Sequence, residues 1–246
     1  MRKITILGAV ALFACLASSS FGASIYDTCT AVTPCSFNGS GSLTVTSAGV
    51  ISWVTDATGT APNLFSFTAG TGVFAVIPNG SQEGIANLNN ATEPAGNAGF
   101  APQAFITFPV GGLPGLMINK IFPGFDGTAG CGSTAVGAVC TPETAPGVPG
   151  PFNFQNTNGG GSTAAFDFSG ITADGAATWT AHFTSQFSVP FTTVLAQLAS
   201  TGSVSNSYSQ TTVTITSLTP EPGSLLMIGS GLIGLAAFMR RRRVAK

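Results

Sequence analysis

The strongest constraint on the fold of this chain is a strict alternation of side chains along residues 177–189, ATWTAHFTSQFSV. A period of two residues sends successive side chains to opposite faces of a β-strand. One face then carries Trp179 and Phe183 among small or apolar residues, and the other carries Thr180 and His182. We therefore predict a long strand with one buried face and one face in contact with water.

Shorter runs of β-branched and aromatic residues occupy much of the remaining chain, and turn residues separate them. The pattern predicts hairpins or strand pairs at 43–46 with 50–54, 64–68 with 72–77 and 105–110 with 116–122, and further strands at 164–168 and 203–218. Pro190 favours the start of a short helix over 191–200. Many short strands and little helical periodicity predict an all-β domain, an antiparallel β-sandwich or jelly roll with one short helix.

The first 22 residues are typical of a secretory signal peptide. Arg2 and Lys3 precede an apolar stretch, and small residues at Ser20 and Gly22 favour cleavage near residue 22. A lipoprotein signal ending at Cys15 is the alternative, although a bulky Phe13 stands where a smaller residue is usual. Residues 23–219 then form the exported part, which we expect to be one domain.

The other end of the chain combines three elements within residues 220–246. Pro220, Glu221 and Pro222 come first, an uncharged apolar stretch over 223–239 follows, and four arginines stand close to the end: Arg240, Arg241, Arg242 and Arg243. Seventeen helical residues cover about 26 Å, which is enough for a thin bilayer core. We predict a C-terminal transmembrane helix whose arginines stay on the cytoplasmic side.

These three elements, in this order, resemble the PEP-CTERM protein-sorting signal, a tail also called the ice-binding-protein C-terminal domain. The resemblance implies recognition by exosortase, a membrane protease, through Pro220, Glu221 and Pro222. It also implies that the cluster 240–243 is a temporary membrane anchor. The exported chain would then be released to the cell surface or extracellular matrix, with extracellular polysaccharide as an expected associate.

Charge is scarce between the two ends. Residues 23–219 hold eight acidic residues and one basic residue, Lys120, for a formal net charge of −7. Nucleic-acid binding requires several lysines or arginines that displace counterions from phosphates, so we exclude that class. The G-x-G-x-x-G match at 229–234 lies inside the apolar tail rather than after a strand, so we predict no dinucleotide or other cofactor.

The cysteines that follow the signal peptide number four: Cys29, Cys35, Cys131 and Cys140. An even number in an exported chain predicts disulfides, and the local pairs 29–35 and 131–140 are favoured among the three pairings. Zinc binding is the alternative, but the spacings are not those of zinc sites. We predict no metal site; calcium at an Asp-Gly turn, at Asp126 or Asp174, is the remaining alternative.

Residues for catalysis are sparse. His182 is the sole histidine and is placed on a polar strand face, while G-x-S-x-G and GK phosphate-loop motifs are missing from the sequence. Asp167 and Asp174 could form an acid pair for glycoside hydrolysis only if the fold brought them together. We therefore expect no catalytic residues and a non-enzymatic protein with a structural or adhesive role.

Two alternatives to a structural role remain. A carbohydrate-binding module would need exposed aromatic rings, and the Trp and Tyr residues of the exported part are Tyr26, Trp53, Trp179 and Tyr208. Threonine rows around 178–184 and 212–216 could also match a glycan or an ice surface, although threonine is common on any exposed strand. A secreted hydrolase that uses His182 is the weaker alternative.

Overall fold

A computed structural model describes residues 24–56, 62–110 and 112–217. This part of the chain is mostly strand with one α-helix, α1 (Phe191–Thr201). The strands, in chain order, are β1 (Cys35–Thr46), β2 (Val50–Asp56), β3 (Leu64–Thr68), β4 (Gln82–Ile85), β5 (Leu88–Asn89), β6 (Gln103–Thr107), β7 (Leu116–Ile121), β8 (Val139–Cys140), β9 (Glu143–Ala145), β10 (Val148–Pro149), β11 (Asn153–Asn156), β12 (Ser162–Thr172), β13 (Ala177–Phe187) and β14 (Ser203–Ser217).

The main sheet closes on itself. Its strands run in the order β13-β14-β1-β3-β4-β6-β7-β12, and β12 pairs with β13 to complete a ring. Neighbouring strands around this ring are antiparallel. The prediction of an all-β antiparallel domain with one short helix is confirmed. The predicted sandwich or jelly roll takes the form of one continuous sheet whose opposite walls pack together, because the β12–β13 pairing leaves no break between two sheets.

Two strands of the ring, β1 and β12, change pairing partners towards one end. β1 pairs with β3 at Asn38–Ser40 and then with β2 from Gly41 to Val45. β12 pairs with β7 at Phe168–Thr172 and with β11 at Ser162–Ala165. Helix α1 lies at this end, where Phe191 and Val194 pack in a second apolar cluster.

Aromatic rings fill the interior and join opposite walls. The Trp53 ring of β2 lies 5.0 Å from the Phe183 ring of β13, and the Phe105 ring of β6 lies 5.9 Å from the Trp179 ring. Phe183 also contacts Phe168 on the neighbouring strand at 5.0 Å. Such pairs add to the stabilisation that burial of apolar area already gives.

Strand β13 confirms the alternation read from the sequence. Trp179, Ala181 and Phe183 are buried, whereas Thr180 and His182 are exposed. The strand ends at Phe187, two residues earlier than predicted. Helix α1 is also confirmed: it follows Pro190 and ends at Gly202, whose φ of 77° is left-handed and suits glycine.

The prediction of a strand at 72–77 is wrong. Gly72–Val76 is a 3-10 helix, in which Gly72 has a φ of 58°. Phe74 and Ile77, three residues apart, are buried in the core, while Val76 points to solvent. A 3-10 turn places residues three apart on one side, so it buries Phe74 and Ile77 together. This burial outweighs the local preference of the segment for a strand.

Ser24, the first described residue, and the end of β14 lie at the same end of the ring. The Ser24 hydroxyl donates to a carboxylate oxygen of Asp174 at 2.6 Å, in the turn between β12 and β13. Ala177, at the start of β13, pairs with Ser217 at the end of β14. This end, which we call the terminal end, is opposite the end at which helix α1 lies.

Two disulfides are present, and they are the local pairs that the spacing favours. Cys29–Cys35 fastens the segment before β1, and Cys131–Cys140 fastens the loop before β8. Cys29, Cys35 and Cys140 are buried. Each bridge therefore stabilises an irregular segment that is attached to the edge of an apolar cluster.

None of the helices in the part of the chain that the structure describes is long and apolar enough to cross a membrane. The predicted signal peptide at 1–22 and the predicted transmembrane helix at 223–239 lie outside the described residues.

Candidate functional site

The outer face of the ring brings polar residues of four neighbouring strands into register. Asp167 of β12 stands directly opposite His182 of β13. The next pair on the same face, two residues further along β12, is Ser169 opposite Thr180. Thr180 in turn stands opposite Thr214 of β14. Lys120 of β7 is paired with Ser169 on the other side. Adjacent strands lie about 4.8 Å apart, so these side chains form closely spaced polar rows.

The pair formed by Asp167 and His182 is the most specific polar contact on this face. The Nδ1 atom of His182 lies 2.7 Å from a carboxylate oxygen of Asp167. The two side chains are 55% and 42% exposed. The carboxylate keeps free capacity to accept hydrogen bonds, and the second ring nitrogen of the histidine can donate or accept one according to the tautomer. The pair can therefore bind a ligand that offers several hydroxyl groups.

Phe125 stands beside this pair in the loop between β7 and β8, and its side chain is 80% exposed. The backbone around it is firmly held. The N–H of Phe125 donates to the Asn153 side-chain oxygen at 2.9 Å, and the N–H of Asp126 donates to the Thr141 hydroxyl at 3.0 Å. The Thr141 hydroxyl in turn donates to the same oxygen of Asn153 at 2.8 Å, and Thr141 is buried. The loop thus presents an aromatic ring to solvent from a fixed backbone.

These elements together form an open groove of about 470 Å³ on the outer face. The residues that line it include Phe122, Pro123 and Phe125, the Asp167–His182 pair, and Thr180 and Thr214. The Lys120 ammonium lies 4.5 Å from the centre of the Phe122 ring at the same edge. We call this feature the Phe125 groove. It combines apolar ring faces with neutral and charged hydrogen-bonding groups.

The aromatic residues that the sequence nominated for ligand binding are buried instead. Tyr26, Trp53, Trp179 and Tyr208 belong to the core and are at most 2% exposed. Phe122 and Phe125 are not among the ligand-binding residues that the sequence predicted. The signal was present in the run Phe-Pro-Gly-Phe-Asp-Gly at 122–127, because an aromatic ring among turn residues has no regular face to bury.

Asp167 and Asp174 do not form an acid pair. Asp174 lies beyond the end of β12, and the five residue steps from Asp167 to Thr172 alone span about 16 Å at the usual strand rise. Glycoside hydrolysis needs two carboxyl groups within about 10 Å. Burial opposes ionisation of Asp174, but hydrogen bonds from Ser24, Thr172 and the Ala176 backbone outweigh it and hold the pKa of this carboxyl below its ordinary value. Its contacts are those of a turn-stabilising residue.

The other positions considered for metal binding show no cluster of ligands. In residues 24–56, 62–110 and 112–217, no group of three or more His, Cys, Asp or Glu side chains could hold a metal ion. Asp126 lies in the loop of the Phe125 groove, where its backbone N–H binds Thr141.

A different ionisable group is buried in the ring wall, away from the groove. Glu83 of β4 has no exposed surface. One carboxyl oxygen accepts a hydrogen bond from Ser81 at 3.2 Å, and the other oxygen, Oε2, is buried without a hydrogen-bond partner. Burial raises the pKa of Glu83 above its ordinary value, although hydrogen bonds from Ser81 and the Val110 backbone oppose the shift. Burial therefore makes this carboxyl harder to ionise than a glutamate in water.

The residues predicted for sorting, Pro220–Pro222 and Arg240–Arg243, lie outside the described part of the chain. A family model described as the PEP-CTERM protein-sorting motif matches residues 218–243, which confirms the resemblance inferred from the sequence. Proteins with this motif are exosortase substrates. No curated protein and no solved structure shows significant similarity to the chain.

Proposed function

Because the chain carries a PEP-CTERM sorting motif at residues 218–243, we propose that it is exported, processed by exosortase and displayed at the cell surface or in the extracellular matrix. The motif is the single observation that carries this proposal. The two disulfides support it, because disulfides persist in oxidising compartments outside the cytoplasm. The predicted signal peptide at 1–22 supplies the route of export.

The proposal is tested by two changes to the tail that act on different steps. Deletion of residues 220–246 removes both the motif and the anchor, so the exported chain should no longer be retained in the membrane. Glu221→Ala keeps the predicted anchor at 223–239, so the uncut chain should accumulate in the membrane. Fractionation and immunoblotting in an exosortase-bearing bacterium, with an exosortase-deleted strain as control, give the readout. Unchanged fractionation after the deletion would refute the sorting role.

For the domain at 23–219 we propose a structural or adhesive role in association with extracellular polysaccharide. What supports it is a surface with few charges and many hydroxyl and amide side chains. Such a surface makes contacts that respond little to salt. Retention of the processed protein in the matrix should therefore survive washing with 1 M salt and should be lost in cells that make no polysaccharide.

We also propose that this role is not catalytic. The Asp167–His182 pair lies on an open face in contact with water, whereas a catalytic pair gains most from a site that excludes water. A secreted hydrolase that uses His182 is the rival. If the purified protein hydrolysed any ester, peptide or glycoside substrate and His182→Ala abolished that activity, the rival would replace our proposal.

A further inference from the structure

The feature of the Phe125 groove that points to a ligand is the ring of Phe125. The ring is 80% exposed, while its backbone is fixed through Asn153 and the buried Thr141. A single exposed apolar side chain is ordinary on a protein surface. An exposed ring that is carried by a fixed backbone and borders a groove with paired hydrogen-bonding groups is typical of a ligand site instead, because the ligand meets a largely preorganised surface.

The polar groups of the groove indicate what kind of ligand it takes. A carboxylate, an imidazole and hydroxyls lie within two strand positions of one another, and they can accept and donate several hydrogen bonds along a polyhydroxylated molecule. Phe125 adds an aromatic face whose negative quadrupole attracts the weakly positive C–H groups on the flat side of a pyranose ring. This combination suits a sugar better than an apolar ligand.

The charges around the groove exclude other long polymers. The exported domain has a net charge of −7, and Lys120 is its only basic residue. Polyanions such as nucleic acids or acidic polysaccharides would be repelled by this field and would find one ammonium group to bind. An uncharged chain meets no such repulsion.

We propose that the Phe125 groove binds a neutral polysaccharide chain. The ring of Phe125 stacks on the C–H face of one sugar unit, and the carboxylate of Asp167, positioned by His182, accepts hydrogen bonds from sugar hydroxyls. Thr180 and Thr214 contact the adjoining part of the chain. This inference deepens the proposed role in the matrix and names the chemical class of its partner.

The test is binding of the full-length protein, purified in detergent, to soluble polysaccharides in affinity gel electrophoresis. The neutral probes are a β-glucan, a mannan, a xylan and a dextran, and alginate is the anionic comparison. We expect at least one neutral polymer to retard the protein and alginate to leave it unretarded. Failure of all four neutral probes, or retardation by alginate alone, would overturn the proposal. If the groove bound a protein instead, none of the four neutral polysaccharides would retard the chain.

Substitutions show whether the groove is responsible. Phe125→Leu keeps an apolar side chain and removes the aromatic face, so we expect about tenfold weaker binding, while Phe125→Tyr should bind like the original protein. Asp167→Asn should also weaken binding about tenfold, because a charged acceptor is replaced by a neutral one. Val76→Ala, at an exposed apolar position outside the groove, is the matched control. Equal binding by Phe125→Leu and Val76→Ala would assign any polysaccharide affinity to another surface.

The proposed sorting role and the proposed polysaccharide site are tested by separate experiments. Fractionation of tail variants reports the sorting role alone, since the tail changes leave the groove intact. Electrophoresis of groove variants reports the polysaccharide site alone. A chain that is processed correctly but ignores every neutral probe would retain the first proposal and lose the second.

Discussion

Replacement of Phe183 by alanine should be one of the most damaging single changes in the ring. Phe183 is 1% exposed, and its ring lies 5.0 Å from that of Trp53, 5.0 Å from Phe168, 5.3 Å from Phe166 and 5.9 Å from Tyr208. A buried Phe→Ala change costs about 3–5 kcal/mol in lost transfer energy and cavity formation. Four ring contacts are lost together, so we expect the upper part of that range, about 4–5 kcal/mol.

The assay is urea unfolding of the purified full-length protein, followed by circular dichroism so that the signal does not depend on the neighbouring Trp53. In a thermal scan the same loss should lower the Tm by about 8–20 °C, because each kcal/mol is worth about 2–4 °C in a domain of this size. Phe183→Leu should cost about 1–2 kcal/mol, since it fills part of the space.

Phe125→Ala is the matched control, because it makes the same chemical change at a ring that is 80% exposed. Its free energy of unfolding should stay within about 0.5 kcal/mol of the original protein. If Phe183→Ala and Phe125→Ala differed by less than about 1 kcal/mol, the interior role that we assign to Phe183 would be refuted.

Three further changes test other parts of the structure. Gly170→Ala would place a Cβ 2.6 Å from the indole nitrogen of Trp179, which donates to two carbonyls. We therefore expect the free energy of unfolding in urea to fall by about 1–3 kcal/mol. Gly132→Ala, which has open space around its Cβ, should leave the free energy of unfolding unchanged. Replacement of Cys131 and Cys140 by serine should lower the free energy of unfolding by about 2.6 kcal/mol in the same assay, because the bridge restricts a nine-residue loop in the unfolded chain. If the double variant were as stable as the original protein, the bridge would have no structural role. The pKa of Glu83 is raised in the fold, so its contribution to stability is full below the ordinary glutamate pKa and declines as the pH rises through the raised value. Glu83→Gln should therefore flatten the decline of Tm with pH in a series from pH 4 to 8. An unchanged slope would show that another group causes the decline.

Local patterns in the sequence predicted much of the ring. The alternation in β13 is a property of adjacent residues, so it identified both faces, including the exposed position of His182. Pro190 predicted the start of α1 for a similar reason, because it fixes φ at a position where its missing N–H has no cost. Cysteine spacing favoured the two disulfides because short loops bring their ends together easily.

Ring closure and the Phe125 groove depend on contacts between distant segments, which no local pattern contains. The groove forms because Asp167 on β12 stands opposite His182 on the adjacent strand β13, and the 122–127 loop lies beside them. Whether Phe125 is buried or exposed is decided by that loop's bonds to Thr141 and Asn153, so composition alone could not separate it from the other eighteen phenylalanines. The 72–77 segment was mispredicted for a related reason, since the core's need for Phe74 selects the 3-10 turn.

The terminal end of the ring has a consequence for the processing that we propose. The chain enters the domain there at Ser24 and leaves it there after Ser217. Pro220 follows Ser217 after three residue steps, and three extended steps span at most about 11 Å. In the processing that we propose, exosortase would therefore cut close to the folded body, at the end opposite α1. Since β14 is hydrogen-bonded to a strand on each side, such a cut would leave the strand in place.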